Sequence, residues 1–470
     1  MKLNELTLVD AIKKLRSHEI SIADLYHDIG EEIEKKNSVY NIFLTLNTDA
    51  LEKPELFDLP LAGLPIAVKD NFLTKGMKTT ASSNVLKKFV PPFDATVIDR
   101  LKKSGGIVIG KTNMDAWAHG SSTETSDFGV TKNPRNPGYL PGGSSGGSTA
   151  AVAADMCMAA LGSETAGSIR QPSSWCGVVG LKPTYGRVSR AGIVPMASST
   201  DSPGPIGKTV EDCALLLNFL AGKDPYDGTT SPMPIPDFTK VLSKGVNGMR
   251  IGICYIDHPQ LRGSEAADSI IKAGLVFEKL GAIVKSVPLS ESLVKGKILN
   301  PDYAVAVYTI VQRSEVSSNL AGYNGIRYDL GRSEFGSEAK RRIMLGTFTL
   351  SKGYADKYYV EAQQVRSLYR KNFQQLFQEY DVLIAPTSPG FALPLGASKD
   401  NPMFGELEDL LLEPSSITGL PGVNIPCFHD EKTNLYLGMN IISDMWQEEK
   451  MIQAADAFER NTTWNEWRKK

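Results

Sequence analysis

The chain has 470 residues, enough for about three average domains, although large α/β enzymes form single units of this size. Apolar residues make up 41% and charged residues 22%, ordinary for a soluble globular protein, and a net charge of −2 leaves no strong field to draw nucleic acid or an anionic membrane. The five cysteines (Cys157, Cys176, Cys213, Cys254 and Cys427) are scattered without CxxC spacing, which argues against a disulfide framework or a zinc site and fits a reducing compartment.

The N-terminus carries apolar residues at helical spacing, Leu6, Leu8, Ala11, Ile12 and Leu15, together with acids that a signal or transit peptide lacks. A cytoplasmic location is expected. A second helix is expected from the N-cap Ser21 through IADLYHDIGEEIEKK. Leu64 to Val68 reads as a buried strand delivering Lys69 to a loop, Ala95 to Lys103 as a helix, and Gly106 to Ile109 as a strand. Residues 118–148 are rich in Ser, Thr, Gly, Pro and Asn; a stretch this long inside a structured half is expected to be functional. STAAVAAD follows as a helix, Met156 to Leu161 as a strand, and GSETAGSIRQP as a second small-residue loop. The weakly polar run Ala150 to Leu161 is too short to span a bilayer and contains Asp155.

Further on, Met249 to Cys254, Ala266 to Leu280 and Ala282 to Val287 form a β–α–β pattern. Residues 302–320 and 337–379 read as helices and Val382 to Ala385 as a strand. This order implies an α/β fold with a mixed, largely parallel central sheet flanked by helices. One domain over 1–470 is the simplest division, with an N-terminal helical segment (1–40), a catalytic core (about 60–225) and a helical substrate-side region (about 300–380).

Two serine loops carry the chemistry. GGSSGGS (142–148) admits close backbone approach. It is open to three readings: a flexible turn, a phosphate cradle that lacks the Walker lysine, or a GxSxG elbow that lacks the strand needed before Ser144. The second loop, GSETAGSIRQP (162–172), is a weak signal alone.

Together the loops resemble the amidase signature family. PIAVKDNF, GKTNMDAWAHGSSTETSDFG, NPRNPGYLPGGSSGGS, DSPGPIGKTVEDCALLL, SEVSSNLAGYNGIRY, EAKRRIMLGTFTLSKGY and GLPGVNIP look like the A-subunit branch of tRNA-dependent amidotransferases, over most of residues 5–460. The resemblance implies a Ser168 nucleophile, Ser144 as the bridging serine in a cis peptide, and Lys69 as base. It also implies an oxyanion hole from the backbone N–H groups of Ala166, Gly167 and Ser168. A serine hydroxyl needs a base to become a nucleophile. None of His18, His27, His119, His258 and His429 lies in either serine loop, so a Ser–His–Asp relay is poorly supported. Lysine serves if it is neutral, which asks for a drop of about three pKa units, on the order of 4 kcal/mol. Burial at a strand end supplies the sign.

Tyr308, Arg342 and Asp409 match positions that bind glutamine in the transamidase branch. Arginine clamps an α-carboxylate and aspartate holds an α-ammonium. Without the resemblance, Arg341 and Arg342 read equally as a solvated helix face. The implied partners are amidotransferase subunits B and C in a heterotrimer. Misacylated tRNA is met mainly through a partner, which also uses ATP and Mg; this chain is expected to need no cofactor or metal. A free-standing amidase and a non-catalytic scaffold are the alternatives. Three departures stand out: Glu164-Thr165-Ala166 where the family more often has Asp-Thr-Gly, Thr125 where Asn is usual, and a short connection from Tyr328 to Glu338. If position 166 takes a positive φ, Ala166 costs about 1–2 kcal/mol.

Overall fold

The computed structural model describes residues 2–47, 56–289, 300–323 and 331–463. Thr7 and Ser21 accept hydrogen bonds from the N–H groups of Asp10 and Asp24, starting α1 (Leu8–Arg16) and α2 (Ile22–Tyr40). Asn41, in the left-handed conformation, ends α2.

Among the described residues, eleven strands form one sheet. In chain order they are β1 (Phe43–Leu46), β2 (Pro65–Lys69), β3 (Ile107–Thr112), β4 (Ala159–Glu164), β5 (Val179–Lys182), β6 (Ser202–Gly207), β7 (Arg250–Cys254), β8 (Ile283–Val287), β9 (Val382–Pro386), β10 (Gly422–Asp430) and β11 (Leu435–Ile442). Their order across the sheet is β1-β3-β2-β4-β6-β5-β10-β11-β9-β7-β8. The expected mixed sheet is present, but it is not largely parallel. Among the described residues only β2–β3, β2–β4, β7–β8 and β7–β9 pair in parallel. An antiparallel run from β4 through β6, β5, β10 and β11 to β9 joins the two parallel groups. The reason lies in the connections: β10 and β11 are joined by a hairpin, whereas parallel neighbours need a crossover of a dozen or more residues.

The helices are α3 (Thr96–Lys103), α4 (Gly146–Ala153), α5 (Arg170–Cys176), α6 (Val210–Leu220), α7 (Glu265–Lys279), α8 (Pro301–Ala321), α9 (Ser337–Thr349), α10 (Glu361–Glu379), α11 (Phe404–Glu408), α12 (Glu413–Ile417) and α13 (Glu448–Arg460). The long helical stretch expected over 337–379 is broken between α9 and a π-helical turn at Asp356–Val360. Side chains of β9 alternate between two cores, Val382 and Ile384 on one side and Leu383 and Ala385 on the other, so this part of the sheet is covered on both faces. The second core also holds Tyr308 and Val311 of α8 and Phe373 of α10. The short connection after Tyr328 begins at a position outside the described residues. Among the described residues no helix is long and apolar enough to cross a membrane.

Candidate active site

The parallel strands β2 and β4 lie side by side, with Ile66 opposite Ala159 and Val68 opposite Leu161, so both run out at the same edge of the sheet. Lys69 is the last residue of β2 and is fully buried. Its Nζ donates to Ser144 Oγ at 2.8 Å and to the Ser163 carbonyl at 2.9 Å. Ser144 follows a cis Gly143–Ser144 peptide and leads directly into α4. Ser145 N–H donates to the Ser168 carbonyl at 3.0 Å, and Gly143 N–H donates to Gln171 Oε1 at 3.0 Å. The two serine loops are thus stitched together. The glycines serve close approach: a Cβ on Gly147 would meet the Asn113 carbonyl at 2.3 Å. This buried, hydrogen-bonded run is not a flexible turn, and no strand precedes Ser144 as an elbow requires.

Burial brings the Lys69 ammonium down from its ordinary value to about 7, against the opposing pull of Asp115, Asp201 and Glu164. The strand end therefore supplies the shift a lysine base needs.

Ser168 lies between β4 and α5 and is 4% exposed. Among the described residues, the N–H groups of Ala166, Gly167 and Ser168 meet no protein acceptor. Three adjacent free donors beside a hydroxyl are a suitable cradle for an oxyanion. Ala166 is not among the residues with positive φ, so the departure from glycine carries no left-handed penalty. The longer Glu164 has a structural use. Its Oε2 accepts from the N–H groups of Ile169 and Arg170 at 3.0 Å each, and its Oε1 accepts from Arg170 Nε at 2.8 Å and Nη2 at 2.5 Å. The carboxylate thereby caps α5 immediately behind Ser168.

Ser168 opens into a narrow cleft that also presents Tyr308, Arg342 and Asp409, together with Ser121 and Glu406. The structure thus brings Tyr308, Arg342 and Asp409 into one cleft with Ser168. Arg342 is buried rather than on a solvated face. Its Nε donates to Glu338 at 2.5 Å, its Nη2 lies 3.7 Å from Glu406, and its buried Nη1 has no protein partner. Burial opposes the guanidinium charge, but Glu406 and Glu338 outweigh it and Arg342 stays cationic. Asp409 Oδ2 accepts from Ser121 Oγ at 3.0 Å, and its buried Oδ1 is unpartnered. Burial pushes the Asp409 carboxyl well above the usual range, and Glu164, Glu408 and Glu406 add to this against the Ser121 hydrogen bond. A cation beside Oδ1 pulls the other way.

Sequence reasoning missed Ser121, Glu338, Glu406, Asp115 and Asp201. The acids of ELEDLLLEP, unusual in so apolar a run, are the signal that points to Glu406. His119 is buried, and burial with the charges of Arg342, Arg313 and Arg341 holds its pKa well below the ordinary value, so it is neutral.

A buried lysine at a strand end, hydrogen-bonded to Ser144, with Ser168 on the adjoining loop, is an arrangement suited to cleaving amides, and the chain belongs to the amidase family, whose model matches residues 24–452. Within that family it is similar to the A subunit of glutamyl-tRNA(Gln) amidotransferase from Prochlorococcus marinus (strain NATL2A), at 44% identity over 97% of each chain. The corresponding protein of Halothermothrix orenii is 45% identical over 98% of each chain. The crystal structure of the A subunit of glutamyl-tRNA(Gln) amidotransferase from Thermotoga maritima superposes with a TM-score of 0.84 at 37% identity, covering 98% of this chain and 96% of that one.

Proposed function

We propose that this chain is the glutamine-hydrolysing A subunit of a tRNA-dependent amidotransferase. Ser168 Oγ attacks the side-chain amide carbon of glutamine, passing its proton through Ser144 to neutral Lys69. The carbonyl oxygen becomes an oxyanion held by the N–H groups of Ala166, Gly167 and Ser168. The proton returns from Lys69 through Ser144 to the leaving nitrogen, the C–N bond breaks, and ammonia departs. Water activated by the same relay then hydrolyses the ester on Ser168, releasing glutamate.

The observation that carries this reading is the pair of free buried atoms, Arg342 Nη1 and Asp409 Oδ1, in the cleft of Ser168. Opposite charges there suit the α-carboxylate and α-ammonium of an amino acid, with Tyr308 as part of the wall. Similarity to the named relatives supports the rest. Ammonia goes to partner subunits B and C in a cytoplasmic heterotrimer. A partner uses ATP and Mg to amidate the glutamyl group on Glu-tRNA(Gln), the aspartyl group on Asp-tRNA(Asn), or both.

The test is Ser168→Ala in the full chain co-expressed with those subunits. Ammonia release from glutamine should vanish, while amidation driven by added ammonium persists. Near-normal glutaminase activity of the mutant would sink the assignment. Full glutaminase activity of the wild-type chain alone, unchanged by any partner, would favour a free-standing amidase.

A further inference from the structure

Asp115 is fully buried, on the loop that follows β3, and no step of the proposed reaction uses it. Its Oδ2 accepts from Ser122 N–H at 3.1 Å and its Oδ1 from Thr125 Oγ1 at 2.9 Å. The carboxylate is wedged between two glycines. A Cβ on Gly143 would come within 2.0 Å of Oδ2, and a Cβ on Gly120 within 2.5 Å of Oδ1. Real Cβ atoms do not approach oxygen so closely, so neither position accommodates a side chain while Asp115 keeps its place. Gly143 supplies the peptide that carries Ser144, and Gly120 precedes Ser121, the serine that holds Asp409. One buried carboxylate therefore touches the relay side and the substrate side of the cleft together.

We propose that Asp115 is a positioning residue for amide cleavage, its carboxylate clamping the Gly143–Ser144 peptide against the 120–125 turn and setting a negative charge toward Lys69. This rests on the reading of Lys69 as the base. The charged groups acting on Lys69 are Asp115 from this loop, Asp201 from the segment before β6, and Glu164 from β4, and Asp115 is the strongest of the three. Burial raises Asp115 itself to about 6, against the donors at Thr123, Thr125 and Ser122, so it is ionised where Lys69 becomes neutral. Thr125, a departure from the family pattern, gains a role: its hydroxyl reaches Asp115 and accepts from Ala116 N–H at 3.0 Å.

The sign is set by the charge. A carboxylate favours the ammonium, so removing it makes Lys69 neutral at lower pH and a weaker base. The experiment follows the rate at which a fluorophosphonate probe labels Ser168 in the full chain, from pH 5 to 9. In Asp115→Asn the plateau should fall about tenfold and the acid limb should move about one unit toward lower pH, the shift expected for loss of one nearby charge. Thr125→Val removes one donor from the same carboxylate and should move the limb the same way by less; it serves if Asp115→Asn does not fold. Folded variants with an unmoved acid limb, whether or not the plateau falls, would overturn the proposal, because a purely structural residue changes rate without moving the limb. Lys69→Ala separates the two readings. Labelling at the wild-type rate would sink Lys69 as base, whereas an inert Lys69→Ala beside an unshifted Asp115→Asn would sink only the role of Asp115.

Discussion

Replacing Arg342 by alanine is the sharpest test of the substrate side, because the structure separates binding from folding at this position. Arg342 shares each of its acids with a second cation. Glu338 also takes Arg341, through Nε at 2.9 Å and Nη2 at 2.8 Å, and Glu406 takes Arg313 at 2.8 Å. Removing Arg342 therefore strands neither carboxylate, and the loss of stability should be about 1–3 kcal/mol rather than the roughly 3–5 of a fully orphaned buried charge. The substrate has no such substitute. Truncating one side of a buried charge pair costs about 2–5 kcal/mol, which is about 30-fold to a few thousandfold in kcat/KM for glutamine. Part of that loss should appear in kcat, since the remote charges also place the amide over Ser168. The assay is steady-state ammonia release from glutamine beside hydrolysis of a neutral acyl ester with no amino-acid head group, in Arg342→Ala and in Asp409→Asn. Glutamine turnover should collapse in both while the ester is spared. Equal losses on the two substrates would refute the reasoning and make these residues supports of the fold.

With Lys69 brought to about 7 by burial, kcat/KM should rise about tenfold per pH unit below that value and level off above it, because the neutral amine is the working form. Lys69→Arg should be inactive at every pH, since a guanidinium keeps its charge; an active variant would make Lys69 a structural cation. Gly167→Ala places a methyl group 2.3 Å from Asp409 Oδ1 and 2.7 Å from Leu412 Cδ1. It should lower stability by about 1–3 kcal/mol, seen as a reduced Tm, and raise KM for glutamine more than for the ester; an unchanged ratio of the two would contradict the contact.

Much of the site was legible because its residues occupy short, strongly patterned segments. The apolar PIAV run reports a buried strand, and burial of a lysine at its end lowers the pKa in the direction a base requires. The two glycine-serine loops betray close packing by composition alone. Among the strands that went unread, some have a sequence that lacks the local signal. β6 is Ser-Pro-Gly-Pro-Ile-Gly, a pattern that reads as turn, and it becomes a strand through its pairing with β4 on one side and β5 on the other. In β10 and β11 the facing Asn424 and Asn440 interrupt the apolar runs. Asn424 is satisfied by distant partners, accepting from Thr387 Oγ1 and donating to the Val178 carbonyl, which no local window reveals. The sheet direction was misjudged for the same reason, since pairing is settled by which elements return beside one another. Ser121 and Asp115 were hidden because their importance lies in contacts 288 residues away, for Ser121 with Asp409, and across a glycine, for Asp115.

Lys69 ends β2, and Ser163, whose carbonyl it meets, lies in β4, a strand hydrogen-bonded to β2. Their lateral offset is thus measured by the interstrand repeat, about 4.8 Å, the least elastic length in a sheet. Loops on the substrate side can lengthen, shorten or change composition while this ruler stays fixed. A slip of one residue in β2 would point Lys69 to the opposite face and away from Ser144. Evolution can therefore edit the rim of such a scaffold while the seat of Lys69 against β4 stays under the control of backbone pairing.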